Sequence, residues 1–339
     1  MTENDPKIKS HIRQILYGVA VGDALGYPYQ FETRLVRKAK SVVDMGVCEN
    51  NIGVKYLLKE QEVGLWSDDT ALTLCLADSL ATGYDLKDIA EKLCSWHYEG
   101  SYSARGFAED EGGQTRSAML LLMEILDSGE YGKLAHLIDD SSESANGNGA
   151  LMRILPLIVL TYHRDIQDQL RLVTEVSALT HPHIRSVLCC LWYLKYAEAI
   201  IDGIDKNTAV TVTQQDIREL LGDIICSELD RQELNRLLTE DLSWGITAPE
   251  REGMSGYIYS GGYVVHTLEA AMFCLMNCSS YADTVLMAVN LGDDTDTVAA
   301  VAGGLAGILY GVEGIPPTWI EALKKPDLFR DIVAAYEAT

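Results

Sequence analysis

The chain has little positive charge. Its 339 residues carry 27 Lys and Arg against 50 Asp and Glu, a formal net charge of -23. Such a surface repels phosphate backbones and anionic headgroups, which argues against nucleic-acid and membrane partners. No apolar run is long enough to span a bilayer, and the opening MTENDPKIKSHIRQ lacks the apolar centre of a secretory signal. A soluble, cytoplasmic protein is expected. The eight cysteines (Cys48, Cys75, Cys94, Cys189, Cys190, Cys226, Cys274 and Cys278) form no CxxC pair. Most sit in apolar stretches, where a reduced thiol packs as a small hydrophobe. Internal repeats, low-complexity linkers, GxGxxG and P-loop spacings are all missing, so solenoid architecture and nucleoside-triphosphate chemistry are not indicated.

Period-two alternation is scarce as well, and helical spacing fills the chain instead. Apolar residues recur at that spacing through Ile8 to Leu25, Thr70 to Leu80, Leu86 to Trp96, Ser117 to Leu126 and Leu151 to Tyr162. The pattern resumes in Leu170 to Leu179, Ile184 to Ile201, Ile217 to Leu229, Thr267 to Met276, Tyr281 to Leu291, Thr297 to Leu309, Trp319 to Leu323 and Asp327 to Tyr336. Extended structure is expected only at Val210 to Thr213 and Tyr257 to Val265, too little for a sheet. With 47% hydrophobic residues, the chain can bury a large helical core, and its length allows either one big all-α domain or two smaller ones. The more polar stretch from Lys206 to Met254 reads as an insertion or lid. Glycines in Val301 to Gly307 predict a central helix whose backbone meets a neighbour closely.

Two carboxylate clusters open apolar helices, Trp66-Ser67-Asp68-Asp69-Thr70 and Gly292-Asp293-Asp294-Thr295-Asp296-Thr297. Helix capping would need one such side chain per helix. Three aspartates within four residues add repulsion that a cap does not need and that a hard divalent cation relieves. An oxygen-only set without His or Cys points to magnesium or manganese rather than zinc. If the clusters meet, they could bridge two ions about 3.5 to 4 Å apart, as in two-metal hydrolases. The turn Asn146-Gly147-Asn148-Gly149, running into Ala150-Leu151-Met152-Arg153, offers backbone N–H groups to an anion at a helix start, or is simply an Asn-Gly turn. His181, before Pro182, reads as a helix end unless other groups join it. Asp23, set among Ala24, Leu25 and Gly22, needs a polar partner, and a metal ligand is one candidate.

In this order the segments resemble the ADP-ribosylglycohydrolase family. The matching residues are Gly22-Asp23-Ala24-Leu25-Gly26, Ser67-Asp68-Asp69-Thr70, Gly147-Asn148-Gly149-Ala150-Leu151-Met152-Arg153, Thr180-His181, Gly262 to Ala271, and Asp294-Thr295-Asp296-Thr297. The resemblance implies one all-α domain over residues 1–339, a compact multi-helix orthogonal bundle around two Mg2+ ions in a central cleft, with Mn2+ as the alternative. It implies Ser67, Asp68, Asp69, Asp294, Asp296 and Thr297 as metal ligands. Gly147, Asn148, Gly149, Met152 and His181 become substrate contacts, and ADP-ribose is released from a protein side chain or small conjugate. Three positions depart from the family pattern: Gln30 stands where a glutamate is usual, Ser67 replaces threonine, and Ala145 replaces serine. Glutamine cannot transfer a proton. The acid–base work is therefore expected of Glu32, two residues on, together with Asp69 and Asp296. The rival readings are an ADP-ribose-binding protein without turnover and a two-metal phosphoesterase acting on a nucleotide.

Overall fold

The computed structural model describes residues 6–46, 62–222, 224, 226–244, 246–247 and 255–338. The helices follow one another as the periodicity predicts, and the ends of many are closed by their own side chains. After α1 (Pro6–Gly26) and the short α2 (Arg34–Ala39), α3 (Asp68–Leu80) starts at Ser67, whose hydroxyl accepts from the Asp69 N–H. Asp85 caps α4 (Leu86–Glu99), which stops at Gly100 in the left-handed conformation that glycine adopts without strain. Helix α5 (Gly113–Ser128) stops in the same way at Gly129.

The next stretch departs from expectation. Leu151 to Tyr162 is not one helix: two single 3-10 turns, Leu151–Arg153 and Leu155–Leu157, precede the four-residue α6 (Ile158–Thr161). Pro156 sits inside the second turn, where its missing N–H is tolerated but a longer helix would lose a hydrogen bond. Apolar spacing alone cannot separate these two outcomes.

Asp165 caps α7 (Ile166–Ala178) and His183 caps α8 (Ile184–Ile201), the latter buried from Val187 to Leu194. Helix α9 (Lys206–Leu221) contains Val210 to Thr213, so these residues are helical rather than extended. Val210 and Thr213 pack inward beside Ala209, Ile217 and Leu220, and that burial outweighs β-branched preference. The helix expected over Ile217 to Leu229 breaks at Gly222, and α10 (Glu228–Glu233) begins afresh from a Ser227–Asp230 capping box, followed by α11 (Asn235–Thr239). A two-stranded antiparallel pair joins β1 (Ile246–Thr247) to β2 (Ser255–Tyr257). The expected extended stretch from Tyr257 to Val265 thus holds only at its start, because α12 (Val264–Asn277) claims its end. Residues 248–254 of the expected lid and Cys48 lie outside the described residues. The chain closes with α13 (Tyr281–Asn290), α14 (Thr295–Tyr310), α15 (Pro317–Ala322) and α16 (Pro326–Ala338).

The expectation of an all-α fold is met. Its centre is the antiparallel crossing of α1 and α14, and glycine permits it. A Cβ on Gly22 would lie 2.1 Å from the Ala299 carbonyl oxygen, and one on Gly18 or Gly26 would lie 2.4 Å from that of Gly303 or Thr295. Buried residues of α1, α3, α4, α8, α12, α14 and α16 join in one continuous apolar cluster around this crossing. Each of the seven described cysteines is a free thiol. Among the described residues no helix is long and apolar enough to cross a membrane. The close crossing has a consequence for chemistry: it carries Asp23 of α1 to the place where α3 and α14 begin.

Candidate functional site

Asp23 is fully buried and satisfied by its neighbours. Its carboxylate accepts from the backbone N–H of Ser67 at 3.0 Å, the N–H of Thr70 at 3.0 Å and the Thr70 hydroxyl at 2.5 Å. It therefore holds the first turn of α3 against α1, a stronger version of the partner that the sequence demanded. Carboxylate oxygens of Asp23, Asp69 and Asp296 all lie within 4.8 Å of one another. The two clusters, more than two hundred residues apart in the chain, do meet.

Within this pocket several oxygens lack donors. Ser67 and Thr297 hydroxyls approach Asp69 Oδ2 at 2.8 and 3.3 Å, yet Asp69 Oδ1 and Asp296 Oδ2 are buried without a hydrogen-bond partner, and no described group donates to Asp68. Asp294 precedes α14 without capping it; its Oδ2 instead accepts from Asn148 Nδ2 at 2.7 Å. Burial, followed by the charges of the neighbouring aspartates, raises the carboxyls of Asp68, Asp69 and Asp296 well above their ordinary range, and burial alone raises Asp23 to about 6. Capping explains Ser67. It does not explain orphaned, mutually repelling carboxylates, whereas a hard cation bound by oxygens would satisfy them. Ser67, Asp68, Asp69, Asp294, Asp296 and Thr297 are all at this pocket and fit such a group.

Glu32 is not brought there. Its carboxylate pairs with the Arg37 guanidinium, and both are buried. Arg37 in turn lies over the Tyr29 ring. The acid–base role expected of Glu32 is corrected by this ion pair, since the carboxylate is committed to a buried arginine and is not among the oxygens gathered with Asp69 and Asp296. Gln30 supplies the link instead. Its amide donates to Asp110 Oδ2 at 2.5 Å, and Asp110 stands beside the aspartates from the loop between α4 and α5. Burial first, then the charge of Asp294, pushes the Asp110 carboxyl up to about 7 against the opposing pull of the Gln30 amide. Sequence reasoning passed over Asp110. The only signal was an acidic group in a glycine-bounded loop, Glu109-Asp110-Glu111-Gly112-Gly113, which looks like any solvated turn. Its positive φ of 56° is a conformation that aspartate adopts more readily than most residues and that clusters at functional sites.

The glycine turn borders the carboxylates on the other side. The Asn148 N–H donates to the Gly262 carbonyl at 3.0 Å, Gly147 bridges to Tyr263, and the Val264 N–H donates to Asn146 at 3.1 Å. Asn148 Nδ2 also reaches Thr267 Oγ1 at 3.0 Å, so one side chain ties the turn to α12 and to Asp294. The His181 ring lies against the glycines: a Cβ on Gly149 would fall 2.6 Å from its Cε1. Met152 packs in the core below the turn, its carbonyl accepting from Thr73. A 3-10 turn, not an α-helix, follows Gly149, so anion binding here cannot draw on a full helix dipole.

Known proteins bear on this arrangement. The ADP-ribosylglycohydrolase family pattern matches residues 4–339. The chain is 32% identical to an ADP-ribosylarginine hydrolase of Pseudomonas putida (strain GB-1), over 90% of this chain and 72% of that protein. It is 28% identical to the ADP-ribosyl-[dinitrogen reductase] glycohydrolase of Rhodospirillum rubrum, over 94% and 92% of the two chains. A solved structure described as an ADP-ribosylglycohydrolase-related protein complex is similar with a TM-score of 0.71 and 26% identity, covering 98% of this chain and 99% of that one. With the whole chain matched and the expected clusters assembled in one pocket, the protein belongs to the ADP-ribosylglycohydrolase family, enzymes that hydrolyse ADP-ribose linkages.

Proposed function

We propose that the chain is a magnesium-dependent hydrolase that releases ADP-ribose from arginine side chains. The observation that carries the reading is the buried set of unpartnered aspartate oxygens beside a glycine turn. Similarity to an ADP-ribosylarginine hydrolase supports arginine as the acceptor. Ser67, Asp68, Asp69, Asp294, Asp296 and Thr297 would hold two Mg2+ ions, or Mn2+ in their place, which supply Lewis acidity and orient the hydroxyls of the distal ribose. Gly147, Asn148, Gly149 and His181 would hold the diphosphate, with Met152 supporting the turn from beneath.

The residues divide the chemical work by what they can donate. Gln30 has no proton to transfer, so it orients Asp110 through its amide. Asp110 is the carboxylate placed to take a proton from the attacking water. The water oxygen bonds to the anomeric carbon, the glycosidic C–N bond breaks, and its electron pair leaves on the guanidine nitrogen. The segment around α10 is tied to residues next to the glycine turn: Glu233 accepts from the Tyr263 hydroxyl at 3.0 Å, and Asp230 accepts from Arg185 at 2.7 Å. That connection supports a lid within 206–254 that selects the leaving group. Orphaned carboxylates, and Asp110 beside them, favour turnover over mere binding.

The test is incubation with ADP-ribosyl-arginine, ADP-ribosyl-serine and O-acetyl-ADP-ribose, with Mg2+ or excess chelator, scored by mass for free ADP-ribose. Release from the arginine conjugate that stops with chelator is expected. Release from another conjugate alone would replace the acceptor, and phosphate-bond cleavage would replace the reaction.

A further inference from the structure

Beneath the glycine turn lies a cation with no carboxylate. Arg153 is completely buried, yet among the described residues it makes no ion pair. One terminal nitrogen donates to the Val176 carbonyl at 3.0 Å and to Thr180 Oγ1 at 2.9 Å, while Nε and Nη1 have no partner. Burial pulls this guanidinium down to about 10, which still leaves it charged at neutral pH. An uncompensated buried charge is costly, and in a protein of net charge -23 the absence of a nearby carboxylate marks a place kept positive.

The donor rules then propagate outward one atom at a time. A guanidinium can only donate, so Thr180 Oγ1 accepts from Arg153. The Thr180 hydroxyl is itself buried, and among the described residues its only other partner is His181 Nδ1 at 2.9 Å. Its single buried proton is satisfied only when it points at Nδ1, which then accepts. A neutral imidazole that accepts at Nδ1 carries its proton on Nε2. The ring is neutral because burial and then the Arg153 charge push it down to about 3. Nε2 faces the turn, 3.1 Å and 3.3 Å from where a Cβ of Gly149 or Gly147 would stand, and has no protein partner among the described residues.

We propose that Arg153 and Thr180 form a buried relay that fixes His181 in its Nε2–H tautomer, making it a hydrogen-bond donor to a diphosphate oxygen held against Gly147 and Gly149. Arg153 and Thr180 are positioning residues, since they act through His181. The diphosphate part rests on the function proposed above; the tautomer does not. Two charge effects cooperate here. The Arg153 cation favours an anionic ligand across a short, water-poor path, and the same cation keeps the imidazole from protonating, so binding depends on donor direction rather than on a titrating charge.

The experiment uses the full chain labelled with 15N-histidine, with His181→Asn identifying the signal among seven histidines. Wild type should show an acceptor-type Nδ1 and a protonated Nε2, unchanged from pH 5 to 9. Thr180→Val, close in shape but without a hydroxyl, should let the ring exchange tautomers and weaken ADP-ribose binding about tenfold, the worth of one hydrogen bond to a charged group. Thr180→Ser should restore both readings. A protonated Nδ1 in the wild type, or Thr180→Val binding ADP-ribose like the wild type, would overturn the relay. Wild type that shows the proposed tautomer yet binds no ADP-ribose with Mg2+ would instead overturn the diphosphate role. Arg153→Met is the harsher variant; if it does not fold, the Thr180 pair and the wild-type spectrum still decide.

Discussion

Two halves of one cleft differ in the sign of the charge they leave unmatched. On one wall, Asp68, Asp69, Asp294 and Asp296 stand together with no described lysine or arginine among their hydrogen-bond or ion-pair partners. On the other, Arg153 is buried under the glycine turn with no carboxylate among its described partners. Elsewhere the molecule pairs its buried charges, as Glu32 with Arg37 and Arg185 with Asp230 show. The contrast teaches that unmatched charge is local and directed: under the proposed function each wall would be completed by a ligand of opposite sign, cations on the first and a diphosphate on the second.

Breaking the acidic wall should have the largest effect. Asp69→Asn or Asp296→Asn is expected to cut turnover by about a thousandfold or more, as loss of a group central to a catalytic unit does. The cation-free variant should melt at or above the wild-type temperature, because a repelling charge is gone. Wild-type turnover in either would remove the cation reading.

The opposite wall is next. Gly149→Ala places a Cβ 2.6 Å from His181 Cε1, so the ring must shift. ADP-ribose affinity should fall by at least tenfold, while calorimetric Mg2+ binding stays the same. Loss of both together would mean that the walls are not separable.

A smaller effect sharpens the same contrast by pH. The folded chain holds a proton on Asp110 up to about pH 7, whereas an unfolded aspartate releases it at about 4. Between those values the folded state binds more protons, so this group's contribution to stability is lost as pH rises. Without cations, wild type should therefore lose stability from pH 5 to 8 relative to Asp110→Asn, by on the order of 1 kcal/mol or more. Added Mg2+ should stabilise more at pH 8 than at pH 5, since protons on the neighbouring aspartates and a cation relieve the same repulsion. Equal melting shifts at both pH values would contradict this.

The smallest expected effects lie at the rim. Gln30→Ala should lower kcat with ADP-ribosyl-arginine by about tenfold and leave ADP-ribose affinity unchanged, because only the orientation of Asp110 is lost. Glu233→Gln, at the Tyr263 contact, should alter the preference among acceptors only a few-fold. A change in ADP-ribose affinity with either variant would place that residue on the wrong wall.

Much of the aspartate pocket was legible in advance, because crowded aspartates at helix starts are chemically improbable unless something holds them. Glu32 and Asp110 were not legible. One residue of turn decides whether a carboxyl meets Arg37 or the pocket, and local sequence carries no such vector. The single 3-10 turns after Gly149 were hidden for a related reason: apolar spacing reports which residues are buried and leaves open how the backbone winds between them.

The amino-acid sequence by itself determined the helical class, the central glycine-lined helix, the oxygen-only clusters at two helix starts and the family, since periodicity, residue chemistry and motif order are local properties. Only the tertiary structure decided that Asp23 caps α3 across the α1–α14 crossing, that Gln30 serves Asp110, and that Arg153 and Thr180 orient His181. Those are relations between atoms far apart in the chain. They exist because close packing brings buried polar groups together and leaves each with few ways to satisfy its hydrogen bonds.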